Sequence, residues 1–323
     1  MKKTFKLLLA AAFLVTEFFA IALPLMTTSV RADGAIQAIT HAGFGGGTDV
    51  TTRMMLLRAR RVLKQDMQLV NKKGGGGAVS MDYMMSLPAD GQHTLTWTTG
   101  HAVSMALGKT KVKLSDMQPL ARGTDDPQLF VVNCKNDIKD AKKFVSAQKS
   151  KSLKYGTTHV GGIDDVSAIA FTKKGKLTDP TIVAYKGVAP IKTNLIKGDI
   201  DVGVLNLGEA VTEIENGTLC VSVVLASKRM EKLSNVPTAT ELGIPVVLST
   251  VRGFVTKKGV SAERAKQLED AMIKAMEHKY FQSFLTDIGL DATSVVGADE
   301  WGKQMEVMLA EMASQLKALG YIN

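Results

Sequence analysis

The sequence predicts an α/β protein built on parallel strands, and three observations carry that expectation. Residues 35–53 read as a strand (Ala35–Thr40), a glycine turn (Gly43–Gly47) and a helix opening at Thr48-Asp49. The same design of strand, polar glycine turn and helix returns where Leu153–Gly156 runs into Thr157-Thr-His-Val-Gly-Gly-Ile-Asp164. Between and beyond these units, strand-like and helix-like stretches alternate regularly, the mark of a parallel α/β sheet.

In the first unit Thr48 suits an N-cap, Asp49 complements the positive end of the helix dipole, and Val50, Met54 and Leu57 give an apolar stripe at helical spacing. A glycine turn feeding a helix N-terminus presents free N–H groups that can hold an anion; a tight turn with no ligand fits the same residues. Met67–Val70 then reads as a strand, Asn71–Gly77 as a turn, and Ala78–Leu87 as a helix closed by Pro88-Ala-Asp-Gly91. Thr94–Thr98 alternates like a strand, and a short helix begins near His101.

Gln128–Cys134 is an apolar strand and Asp137–Ala147 a lysine-rich helix. The second glycine-turn unit follows, its helix carrying Val166, Ile169 and Ala170 on one face. Strands at Ile182–Tyr185, Val202–Leu205 and Leu219–Ala226 are separated by helices at Val188–Ile196 and Glu209–Glu215. Val236–Leu242 is expected to be a short helix with Pro237 near its start. Val246–Val255 is extended, Ser261 caps a helix whose Ala265, Leu268 and Met272 share a face, and Ala298–Leu319 is a last amphipathic helix.

Composition narrows the function classes. With 45% hydrophobic and 22% charged residues the chain is an ordinary globular protein. The formal charge is +9, of which Lys2, Lys3, Lys6 and Arg31 against Glu17 supply three; the remainder is moderately basic, enough to steer an anionic small molecule. Scattered lysines and 6% aromatics lack the stacking-plus-basic pattern of nucleic-acid binders. Residues 1–32 read as a secretion signal: basic Lys2-Lys3, apolar Leu7–Val15, and Val30-Arg31-Ala32 at the cleavage position. The rival is an uncleaved anchor over Leu7–Met26, which Glu17 and Pro24 interrupt. The expected mature chain starts at Asp33, free of lipid because no cysteine stands near the site.

Catalytic and cofactor signals are weak. Gly108-Lys-Thr110 ends like a Walker A motif, but Val103 stands where its first glycine is required. Gly43-Phe-Gly-Gly-Gly-Thr48 matches two glycines of the dinucleotide fingerprint, with Thr48 at the third and Asp66 before the second strand instead of at its end. Histidines 41, 93, 101, 159 and 278 form no zinc pair, and there is no G-x-S-x-G elbow. Neither cofactor nor metal is expected, and nothing argues for an enzyme.

Eight segments in register resemble one family, the substrate-binding proteins of tripartite tricarboxylate transporters (TctC/Bug type). They are Gly45-Gly-Gly-Thr-Asp49 with Thr52-Arg53, Gly74–Gly77, Pro88–Gly91, Gly161-Gly-Ile-Asp164, Ala184-Tyr-Lys-Gly-Val-Ala-Pro190, Gly198-Asp-Ile-Asp-Val-Gly203, Asn235-Val-Pro-Thr238 with Glu241-Leu-Gly243, and Arg252-Gly-Phe-Val255. The sequence departs from the family where Ala42-Gly43-Phe44 replaces prolines, where Thr157-Thr158-His159 replaces a serine-rich loop, and where Val251 replaces a tryptophan.

The resemblance implies a two-lobed periplasmic-binding-protein fold (type II-like) with a ligand cleft between the lobes. Lobe one would be residues 33–126 plus 229–323 and lobe two 127–228. It implies a periplasmic solute-binding protein, monomeric, that delivers a small organic acid to membrane transporter subunits and closes about it by a hinge. A sensor subunit for a membrane kinase and an exported enzyme on the same fold remain the alternatives. The expected ligand contacts are Phe44, Gly46, Gly47, Thr48 and Asp49 from lobe one, with Thr99 and His101 added. Lobe two offers Thr157, Thr158, His159 and Gly162, with Asn206 and Glu209. Helix capping is the plain alternative for each threonine, and Arg252 is either a carboxylate partner or a solvated crossing residue. A clamp follows: one ligand carboxylate between the Gly46–Thr48 and Thr157-Thr158 turns, with Asp49 holding the loop. The family fold also implies that Cys134 and Cys220 meet on adjacent antiparallel strands, as a disulfide or as two buried thiols.

Overall fold

The computed structural model describes residues 34–158, 160–318 and 320–322. The leader expected over residues 1–32 and the site residue His159 lie outside the described residues.

Two sheets organise the chain. The first unit gives β1 (Ile36–Thr40), α1 (Gly47–Leu63), β2 (Met67–Asn71), α2 (Ala78–Met85), β3 (His93–Thr98) and α3 (Thr99–Ala106). β1 pairs in parallel with β2 and β3, as helical crossovers require. β4 (Met117–Pro127) then runs antiparallel to a later strand, β10 (Ser249–Lys257), which also pairs antiparallel with β3. With the two-residue β11 (Val296–Gly297) the sheet order is β11-β4-β10-β3-β1-β2.

The second sheet is built from β5 (Leu129–Asn133), α4 (Ala141–Ser150), β6 (Lys154–Thr157), α5 (Ile163–Lys174), β7 (Thr181–Ala184), α6 (Val188–Lys197), β8 (Val202–Leu205), α7 (Leu207–Glu215) and β9 (Leu219–Val224). Its order is β7-β6-β8-β5-β9, parallel across β6, β7 and β8 and antiparallel where β5 meets β8 and β9. The chain returns through β10 and closes with α8 (Ala262–Met276), α9 (Lys279–Asp287) and α10 (Ala298–Ala318). No helix among the described residues is long and apolar enough to cross a membrane.

Where the chain passes between sheets, three segments lie side by side. Gln128 N–H donates to Leu248 O, Leu225 N–H to Gln128 O, and Leu248 N–H to Leu225 O, each at 2.9 Å. These bonds continue the ladder across the junction, so the backbone polar groups stay paired where both sheets end.

Several local expectations are corrected. Thr48 is not the N-cap of α1: Gly46 holds that position in an extended conformation, and Thr48 lies inside the first turn. The buried face of α1 is Thr48, Thr51, Thr52, Met55, Leu56 and Ala59, while Leu57 is exposed. That face tolerates threonines because they are paired internally: Thr52 Oγ1 donates to Thr48 O at 2.7 Å and meets Thr96 Oγ1 at 2.8 Å. Residues 236–242 form turns, not a helix, because Thr238 bridges to Val224 of β9. Three elements escaped the sequence reading altogether, β4, α9 and the two-residue β11.

Cys134 and Cys220 form a disulfide. Cys220 sits in β9 opposite Val132 of β5, and Cys134 follows the end of β5, so the bond is diagonal across the pair with the Cα atoms 5.0 Å apart.

Candidate functional site

A cleft of about 330 Å³ opens where the two sheets' helices meet, at the small end of the range for small-molecule sites. Its lining begins at the glycine turn, Gly45–Gly47, with Val50 and Thr51 from α1. The second sheet contributes Val188, Ala189 and Lys192 of α6 and Gly208 and Glu209 of α7, and Asp126, Arg252, Phe284 and Ile288 complete the wall. First-turn residues of three helices therefore face one space. In α1 the N–H groups of Gly47, Thr48 and Asp49 have no backbone acceptor among the described residues, whereas Val50 N–H already donates to Gly46 O. A helix start of this kind, with the dipole behind it, favours an anion.

The turn is pre-shaped by Asp49. Its Oδ2 accepts from Gly45 N–H at 3.1 Å and pairs with Arg53 Nε at 2.9 Å, and its Oδ1 accepts from Asn71 Nδ2 at 3.1 Å. Burial works against the charged carboxylate, but the bonds from Arg53, Gly45 and Asn71 outweigh it and hold its pKa below the usual value. Asp49 thus holds the loop. Phe44, at the tip, is 83% exposed, with the Arg53 guanidinium 4.6 Å from its ring centre.

Arg252 is the hub of the far wall. Its side chain is buried, Nη1 donates to Asp126 Oδ2 at 2.9 Å, and Nη2 donates to Asn206 Oδ1 at 3.0 Å. Asn206, just before α7, donates in turn to Asp126 O at 3.0 Å and Pro127 O at 2.9 Å, while its N–H reaches Glu209 Oε2 at 3.0 Å. One residue from β10 is thereby bonded to the start of a helix in the other sheet. Gly47 fits against this hub because it has no side chain: a Cβ there would stand 2.6 Å from Arg252 Nη2 and 3.4 Å from Glu209 Oε1.

Both acids of this wall are reluctant to ionise. Burial pushes the Asp126 carboxyl up to about 6, against the pull of Arg252. Burial likewise pushes Glu209 up to about 7, against Arg252 and the Asn206 N–H, with Asp164 and Asp126 adding repulsion. Lys192 is committed to Glu213 Oε1 at 2.7 Å.

The remaining expected residues fall elsewhere. Thr99 Oγ1 donates to Ser249 O and accepts from Val251 N–H, both at 2.9 Å, fixing α3 to β10. His101 is fully buried; its Nδ1 accepts from Thr98 N–H at 3.0 Å and its Nε2 lies 3.0 Å from Ser80 Oγ, which stabilises the start of α3. Thr158 N–H and Oγ1 both donate to Asp164 Oδ2, at 2.9 and 2.6 Å. Thr157 is buried at the end of β6 and Gly162 precedes α5; neither they nor Thr158 line this cleft. Of the expected set, Gly46, Gly47 and Glu209 line it; Asp49 is bonded to the lining Gly45, Asn206 to the lining Arg252, and Thr48 follows Gly47 in α1. Asp126, Val188, Ala189, Lys192, Phe284 and Ile288 were missed. Val188 and Ala189 stood in a recognised segment and follow a parallel strand, the position where α/β folds place ligands.

Comparison with known proteins agrees with this architecture. The family model described as tripartite tricarboxylate transporter family receptor (TctC) matches residues 51–316. BugT of Bordetella pertussis is 25% identical over 254 residues, 76% of this chain and 77% of the relative. Among solved structures, MatC from Rhodopseudomonas palustris with bound malate superposes with a TM-score of 0.79 at 22% identity, covering 87% of this chain and 98% of that one. An R. palustris protein with adipate gives 0.81 at 21% identity, over 90% and 98%. At such identities the structures speak for the fold, the two-lobed α/β fold of binding proteins. The family match spans most of the chain, and the chain belongs to the tripartite tricarboxylate transporter receptor family.

Proposed function

We propose that this chain is a periplasmic receptor that captures a small organic acid in the cleft between the sheets and delivers it to the membrane subunits of a tripartite transporter. The observation that carries the reading is the meeting of the α1, α6 and α7 starts in one small cleft beside the buried Arg252. N–H donors at the α1 start, unpaired among the described residues, offer a carboxylate charge-assisted hydrogen bonds without a mobile cation. Malate and adipate in the two R. palustris structures support a carboxylate ligand. Residues 33–126 plus 229–323 form one lobe and 127–228 the other, with the Gln128, Leu225 and Leu248 crossing as hinge. Ligand bound to both walls favours the closed state, which the transporter recognises.

A thermal-shift screen against mono-, di- and tricarboxylic acids tests this. A ligand at a hundred times its Kd adds about 2.7 kcal/mol of stability, and a protein of this size gains about 2–4 °C per kcal/mol. At least one acid should raise Tm by roughly 5–10 °C on those figures. A flat response across all acids sinks the reading.

A further inference from the structure

The charges of the cleft do not balance, and the imbalance points to the ligand. Lys192 is neutralised by Glu213, and Arg252 by Asp126. Glu209 has no ion pair within 4.0 Å among the described residues. Its Oε2 accepts from Asn206 N–H, and its Oε1, beside Gly47, has no hydrogen-bond partner among the described residues. A second acceptor stands in the same wall: Asp126 is 2% exposed and its Oδ1 is buried without a partner. A buried acceptor left unmade costs more than a made bond gains, so this wall asks for a donor, and a cationic one suits two carboxylates best.

We propose that the acid taken by this cleft carries an amino group, its carboxylate on the α1 start and its ammonium at Glu209 Oε1 and Asp126. The inference rests on the receptor reading above and names its ligand class as zwitterionic. An amino acid offers one anion and one cation on adjacent carbons, and the cleft offers N–H donors at Gly47–Asp49 with Glu209 Oε1 beside Gly47 and Asp126 Oδ1 in the same wall, all without a hydrogen-bond partner among the described residues. A plain dicarboxylate would set its second negative charge against Glu209 and Asp126, with Asp164 of α5 adding repulsion; Arg252 offsets little of it, because Nη1 is held by Asp126 and Nη2 by Asn206, and only its buried Nε lacks a partner among the described residues.

Matched pairs test it: calorimetric titration of aspartate against succinate, glutamate against glutarate, and alanine against propionate, at pH 7.5. The aminated member should bind roughly ten- to hundredfold tighter, the range for a hydrogen bond to a charged group. Glu209→Gln keeps an acceptor for Asn206 N–H and should remove most of that preference. Titration of the parent in buffers of different ionisation heat gives a second readout independent of the variant. A ligand ammonium stabilises ionised Glu209 and Asp126, so amino acids should release protons at pH 7 and the unaminated acids should not. If the unaminated acids bind as tightly, the ligand class is wrong and the receptor reading stands. If no acid of either set or of the wider screen binds, the receptor reading falls with it.

Discussion

Gly47→Ala perturbs the one place where the glycine turn touches both walls of the cleft. The added Cβ would lie 2.6 Å from Arg252 Nη2, 3.2 Å from its Cζ and 3.4 Å from Glu209 Oε1. Relief requires the guanidinium to retreat by about 1 Å to reach ordinary contact. A free arginine would yield at little cost, but this one is held at 2.9 Å by Asp126 and at 3.0 Å by Asn206. Overpacking of this kind costs about 1–3 kcal/mol, which corresponds to a Tm lower by roughly 2–12 °C at about 2–4 °C per kcal/mol. Loss of a charge-assisted bond at the hub should weaken binding of the confirmed acid roughly ten- to hundredfold. Gly43→Ala is the control, since its Cβ would meet the Lys73 side chain alone, Nζ at an ordinary 3.5 Å and Cε at 3.7 Å. Differential scanning fluorimetry and calorimetry on both variants decide. Parent-like Tm and affinity in Gly47→Ala would refute the contact between turn and hub.

Other consequences follow from buried charge and covalent closure. The Glu209 carboxyl has a folded pKa of about 7 against 4.5 for the free group. The unfolded chain therefore gives up its proton first, and stability falls as pH rises from about 4.5 to about 7, by up to about 3 kcal/mol through linkage. Glu209→Gln lacks this dependence, so denaturation across that window should show the parent losing ground to the variant; parallel curves contradict the burial. Reduction of the Cys134–Cys220 bond, which closes a separation of 86 residues, should cost about 4–5 kcal/mol by the loop-entropy model. Urea denaturation with and without reductant measures it, and an unchanged midpoint overturns the estimate.

The sequence makes the alternating units legible because each carries its own local signal: an apolar strand, a glycine or polar turn, a periodic helix. β4 carried no such signal. Its residues Arg122, Thr124 and Asp126 are buried, and a strand with polar groups inside does not alternate. Their partners explain the burial but are remote: Arg122 reaches Thr293 O, Ser294 O and Gln304, and Asp126 reaches Arg252. The glycine turn of the site was legible for the same reason as its unit. The opposite wall was only half so: Asn206 and Glu209 were named, but Asp126 and Arg252 are joined across 126 residues. Thr157 and Thr158 read as the mirror of the first turn, yet Asp164 takes both donors of Thr158. In the first turn Asp49 accepts from Gly45 instead and leaves the N–H groups of Gly47 and Thr48 unpaired among the described residues.

The most direct measurement is a crystal structure of the protein with the acid found in the screen. A carboxylate should lie within about 2.7–3.2 Å of the Gly47 and Thr48 N–H groups, in the cleft walled by Arg252 and Glu209. An acid seated on the Thr157–Gly162 turn, with Gly47 and Glu209 untouched, would contradict the site.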